Sequence, residues 1–175
     1  MPPDFKRGMI MNEEFIIPFK GLSLGSHPYD YKIGNQFFEH FEYFESERGS
    51  LNVHLDLVKE SNLMDLHFQL KGNIEMDCDR CLVPFSTPVE GNFRLVVKFG
   101  EHFEEESDEI IVLPLTESRL DVGQLIFEYI NLLLPLQKAH DDIKDCDPEM
   151  IEKLEMHKKD IADSRWDVLK NIKLT

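Results

Sequence analysis

No apolar run in this sequence approaches the roughly 20 residues that a membrane-spanning helix requires. The opening stretch, MPPDFKRGMIMNEEF, also lacks the apolar core of a secretory signal. Three cysteines are too few for a disulfide framework. The chain therefore reads as a soluble cytoplasmic protein. A glycine-rich phosphate loop, a G-x-S-x-G elbow and an H-E-x-x-H helix are all missing, and with them the usual marks of nucleotide, acyl-transfer and zinc-protease chemistry. The expectation is a protein that is not an enzyme, with no small-molecule substrate. Positive charge is scarce as well: 19 Lys and Arg face 34 Asp and Glu, a formal net charge of −15. Such a chain has no general attraction for nucleic acid or for an anionic membrane. Contact with RNA would need a local basic patch or a second protein, so a basic protein partner is expected, and no membrane.

What the sequence does hold is apolar: 42% of 175 residues, thirteen of them phenylalanine, enough for a core. Leu51, Val53, Leu55 and Leu57 alternate with polar residues, the period of a half-buried strand. After KESN the alternation resumes on Met64, Leu66, Phe68, Leu70, Ile74, Met76 and Cys78, with Gly72 in phase as a bend or bulge. Further strands are predicted at 92–99, at 108–114 and, opening the sheet, at 13–20. Each is apolar on one side, the habit of antiparallel sheets.

Beyond residue 120 the period changes. Val122, Leu125, Ile126, Tyr129, Ile130, Leu133 and Leu134 form a helical stripe, begun by Asp121 with Gln124 as a capping box and stopped by Pro135. Asp147-Pro148-Glu149 opens another helix. Asp163 is the N-cap of a last one carrying Trp166, Leu169 and Ile172. The fold class expected is α+β: an antiparallel sheet with a C-x-x-C turn, then C-terminal helices packed on the sheet. A single domain is expected over 1–175, with about 15–135 as sheet plus long helix and 136–175 as loop and C-terminal helices. FFEHFEYF at 37–44 puts Phe37, Phe41 and Phe44 on one helical face, for core packing rather than base stacking, since glutamates at 39, 42 and 45 would repel phosphates. The acidic run at 101–109 is expected to be a solvated loop.

The sharpest question is posed by Cys78-x-x-Cys81. A C-x-x-C turn between strands can hold half a tetrahedral zinc site. The other half is sought in LQKAHDDIKDCDPEM, where His140 and Cys146 would complete a Cys3His set, although H-x5-C is loose spacing for a finger. Two other readings stay open: a buried structural pair, or a redox pair. Against the last, redox pairs sit at helix N-termini, and here Asp77 and Asp79 would oppose thiolate formation. Arg80, with Arg94 and Lys98, can be drawn as a small basic spot, or as solvated strand ends beside acids.

Three ordered blocks then resemble the YceD-type large ribosomal RNA subunit accumulation proteins. GNIEMDCDRCLVPFSTPVEGNF (72–93) resembles that family's strand running into C-x-R-C-L, on Cys78, Arg80, Cys81, Leu82 and Pro88. LDVGQLIFEYINLLLPLQKAHDDIKDC (120–146) is similar to its second block, on Asp121, Glu128, Leu134, Pro135, His140 and Cys146. DSRWDVLKNI (163–172) is similar to its D-x-R-W-x-x-L ending, on Asp163, Arg165, Trp166 and Leu169. The resemblance runs from about residue 15 to the end. It implies a cytoplasmic factor for accumulation of 23S ribosomal RNA and for large-subunit biogenesis, without catalysis and with ribosomal RNA or assembly proteins as partners. It implies a functional site at Cys78, Arg80, Cys81, Asp163, Arg165 and Trp166. Many relatives carry two cysteine pairs, a four-ligand metal site; here His140 would stand in beside Cys146. The competing expectation is an acidic protein-binding adaptor with a structural Cys/His metal site and no link to ribosomes.

Overall fold

Alternation of apolar residues becomes a six-stranded sheet in the computed structural model, which describes residues 13–41 and 48–157. The described residues fall into two compact units: those of 1–76 and 85–136, and those of 77–84 and 137–175.

In the first unit, β3 (Arg48–Lys59) and β4 (Leu63–Asp77) pair antiparallel, with Val53 opposite Leu70, Leu55 opposite Phe68 and Leu57 opposite Leu66. A tight turn closes the pair, Glu60 N donating to Leu63 O at 2.9 Å. This register puts every inward side chain beside another, so each pair leaves water together. The strand order is β2-β3-β4-β5-β7-β6, with β2 at Gly25–Ile33, β5 at Pro84–Gly100, β6 at Glu104–Ser107 and β7 at Ile110–Pro114. Two residues of β1 (Ile16–Ile17) pair with two of β8 (Leu120–Asp121) in a separate ribbon.

The expected helix is α2 (Val122–Leu133), ending ahead of Pro135. Asp121 caps it, accepting from Gly123 N at 2.9 Å and Gln124 N at 3.4 Å. Gln124 does not close the box; its amide donates to Glu128 Oε1 instead, at 2.7 Å. Ile126 and Ile130 are fully buried, and Tyr129 stacks on Phe93 at 4.3 Å between ring centroids and meets Phe68 edge-on at 5.1 Å. The helical stripe and the strand alternation thus meet in one interior.

Several expectations change. The sheet is mixed rather than antiparallel throughout, because β6 turns outward to the edge and β7 returns parallel to β5. Residues 13–20 form short 3-10 turns around the two-residue β1 instead of an opening strand. Phe15, Ile17 and Phe19 are still buried, Ile17 from β1 and the two phenylalanines from the turns on either side. Gly72 is neither bend nor bulge: pairing with Leu51 runs straight through it. A Cβ there would lie 2.1 Å from Ser50 O and 2.6 Å from Leu51 Cα, so the strands leave no room for a side chain unless their backbone shifts. The acidic run is partly strand, β6, with all four residues exposed. Among its described residues the aromatic stretch supplies one short helix, α1 (Asn35–Phe38). Phe37 and Phe38 are buried and Phe41 stacks on Phe127, while Phe44 lies outside the described residues. Arg94 is clamped by both oxygens of Asp65, at 2.9 and 2.7 Å, and Lys98 by Glu106 at 2.6 Å. Those acids neutralise two of the three residues drawn into the basic spot, Arg94 and Lys98.

Candidate metal centre

The second unit starts where β4 ends. The chain turns through 78–83 and leaves along β5, so the two cysteines sit in a strand-to-strand turn. Cys78 N donates to Val83 O at 3.1 Å, and Leu82 N to Cys78 O at 2.8 Å. Leu82 takes φ +61°, a left-handed conformation that ordinarily favours glycine. The turn makes both sulfurs face one side.

Residues 137–146 come to that side. Asp79 binds this segment in both directions: its N–H donates to Lys138 O at 2.6 Å, and its carboxylate accepts from Lys138 N at 2.9 Å. A 3-10 turn at Ile143–Asp145 follows, capped by Asp142, whose carboxylate accepts from Lys144 N at 3.0 Å. This turn shortens the path from His140 to Cys146 and makes the loose H-x5-C spacing workable. Beyond it, α3 (Pro148–His157) begins at the expected proline, with Asp147 accepting from Glu149 N at 2.8 Å.

The result is a cluster of Cys78, Cys81, His140 and Cys146, whose donor atoms all lie within 4.8 Å of one another. The Sγ atoms of Cys78 and Cys146 are 3.9 Å apart, and His140 Nδ1 is 3.7 Å from Cys81 Sγ and 3.5 Å from Cys146 Sγ. Bonds of about 2.3 Å to sulfur and 2.0–2.1 Å to nitrogen give tetrahedral edges of roughly 3.6–3.8 Å. The separations match those edges and exceed by far the roughly 2.05 Å of a disulfide, consistent with three free, buried cysteines. The donor set therefore fits a tetrahedral, soft-ligand ion such as zinc.

The surroundings favour charge on one sulfur, that of Cys78. Burial pushes the Cys78 thiol up, but backbone N–H groups of His140, Arg80 and Cys81 outweigh it and lower the pKa. Asp77 and Asp79, expected to oppose that thiolate, do not prevail; the Asp79 carboxylate is occupied by Lys138 N. Burial and the neighbouring sulfurs raise the Cys146 pKa, while the Arg80 guanidinium acts against them. Arg80 Nη2 donates to His140 O, and its buried Nε has no acceptor among the described residues. Three thiolates around a divalent ion leave a net negative charge, and this guanidinium is placed to balance it.

The chain thus brings five of its sequence-predicted residues together: Cys78, Arg80, Cys81, His140 and Cys146. Asp163, Arg165 and Trp166, with the helix predicted there, lie outside the described residues. Sequence reading missed the positioning role of Asp79, weighing it only as a charge. It also missed the unusual backbone of Leu82, for which no glycine or asparagine gave a signal. The cysteine turn does not open a helix, which counts against a redox pair. Among the described residues no helix is long and apolar enough to cross a membrane.

A family model described as "Large ribosomal RNA subunit accumulation protein YceD" matches residues 66–173, more than half of the chain and all four cluster residues. No curated protein and no solved structure matches.

Proposed function

This chain belongs to the large ribosomal RNA subunit accumulation family, YceD, and we propose that it supports accumulation of 23S ribosomal RNA, and so assembly of the large ribosomal subunit, as a non-catalytic factor. The family match over 66–173 carries this reading. The protein works by binding, through a basic ribosomal or assembly protein rather than by its own attraction for RNA. The net charge of −15 supports this, as does the pairing of Arg94 and Lys98 with acids. Zinc held by Cys78, Cys81, His140 and Cys146 keeps the turn and the 137–146 segment together. The spacing of the donors supports that assignment. When bound, the ion supplies cross-linking and no chemistry; Arg80 balances its thiolates.

Deleting the gene and restoring it on a plasmid tests the function. Reduced 23S relative to 16S RNA and a smaller free large-subunit peak in gradients, both restored by the plasmid, are expected. Normal 23S and subunit levels would instead favour an adaptor unrelated to ribosomes. Affinity capture with and without ribonuclease tests the mode of action: a basic protein retained after ribonuclease is expected, and loss of every partner would refute it.

A further inference from the structure

Within the sheet unit, α2 and the β6–β7 margin enclose an open groove of about 910 Å³. Its floor is apolar, formed by Leu95, Ile111, Leu113, Leu125 and Tyr129. Leu132, 72% exposed, and Phe103, 37% exposed, stand at its mouth, large apolar side chains presented to water. The rim has the opposite character. Glu105, Asp108, Glu117 and Glu128 border the groove, against one base, Arg119. None of these four carboxylates makes an ion pair with a described residue.

We infer that this groove is a docking site for a basic amphipathic segment of a partner protein, with aliphatic side chains on the floor and Lys or Arg on the rim. The inference rests on the reading that the protein acts through a basic protein, and it names the surface. Charge complementarity chooses the occupant. RNA phosphates would meet four carboxylates and gain nothing. A divalent cation fits poorly, because the one cluster able to hold a metal among the described residues is the Cys/His set in the other unit. A basic amphipathic helix satisfies both features at once: anchors at helical spacing fill the floor while its cations face the rim.

A synthetic peptide of leucine and lysine at helical spacing is a direct probe, titrated against the full-length protein by fluorescence anisotropy. The control peptide has serine in place of leucine. Expected is saturable binding of the first peptide, at least tenfold weaker in Leu132→Asp and in the double variant Glu117→Lys/Glu128→Lys. Charge reversal at an acid outside the groove, Glu60→Lys, should change it less than twofold. Circular dichroism checks that the variants fold; all four substituted positions are exposed, so the fold should survive. Equal weakening by Glu60→Lys, or equal binding of the serine peptide, would mean unspecific charge attraction and overturn the inference. A photo-crosslinker at position 132 should capture the peptide. Capture of the chain's own residues 158–175, of a second copy or of ribosomal RNA would overturn it. Failure here with 23S loss in the deletion strain would refute the groove alone. Binding here with normal 23S would refute the ribosomal reading alone.

Discussion

The two units are made from different interiors. In the sheet unit the buried side chains are mostly aliphatic and aromatic: Leu55, Leu57, Met64, Leu66, Ile74, Ile126 and Ile130 are fully enclosed, and aromatic pairs fill the space between helix and strands. In the unit of the cysteine turn, the buried residues among those described are Cys78, Cys81 and Cys146, and α3 buries none. The first interior draws its stability from area removed from water, at about 25 cal/mol per Å². The second encloses polar, ionisable sulfur, which gains little from dehydration alone. Its described residues gather around ligand atoms, as in small domains that a metal folds.

That contrast is most exposed to metal removal. Purified protein should contain about one zinc per chain, and structural zinc contributes on the order of 10 kcal/mol to the order around it. Chelation should therefore speed hydrogen exchange sharply at 78–83 and 137–146, with little change along 51–57 and 64–70. Zinc near zero with unchanged exchange in chelator would end the distinction between the units. Gly72→Ala strikes the other side of the comparison. The added methyl meets Ser50 and Leu51 backbone, and overpacking of this kind costs about 1–3 kcal/mol. Denaturant unfolding of the sheet unit should register that loss while zinc content stays the same; a zinc loss equal to that of Cys146→Ser would show that the units are not separable. The smallest effect is Leu82→Gly. A left-handed non-glycine residue is strained by about 1–2 kcal/mol, and glycine's larger unfolded-state freedom returns part of this. Chelator competition should show zinc held slightly tighter, by less than about tenfold; weaker retention would mean that the Leu82 side chain supports the turn.

Period-two and period-3.6 patterns made β3, β4, β5 and α2 legible, since each has one face turned to a common core. The paired cysteines and the later histidine and cysteine were legible as ligand types, because few other residues offer soft donors. β2 was not legible. GSHPYDYKI alternates weakly, and only its last residues, Tyr31 and Ile33, are buried. Nor was the parallel β5–β7 pairing, because direction depends on where β6 lies, and four exposed residues carry no periodic signal. The Asp79–Lys138 exchange and the left-handed Leu82 arise from backbone geometry at a place where side-chain types say little.

The margins of the six-stranded sheet bear on the protein's behaviour at high concentration. β2 presents a proline, Pro28, which has no N–H to offer a newcomer. The opposite margin, Glu104-Glu105-Glu106-Ser107, confronts any identical strand with like charges. Ribbon-like stacking of copies into filaments is opposed at the two margins by unrelated means, a missing donor on one and like charge on the other.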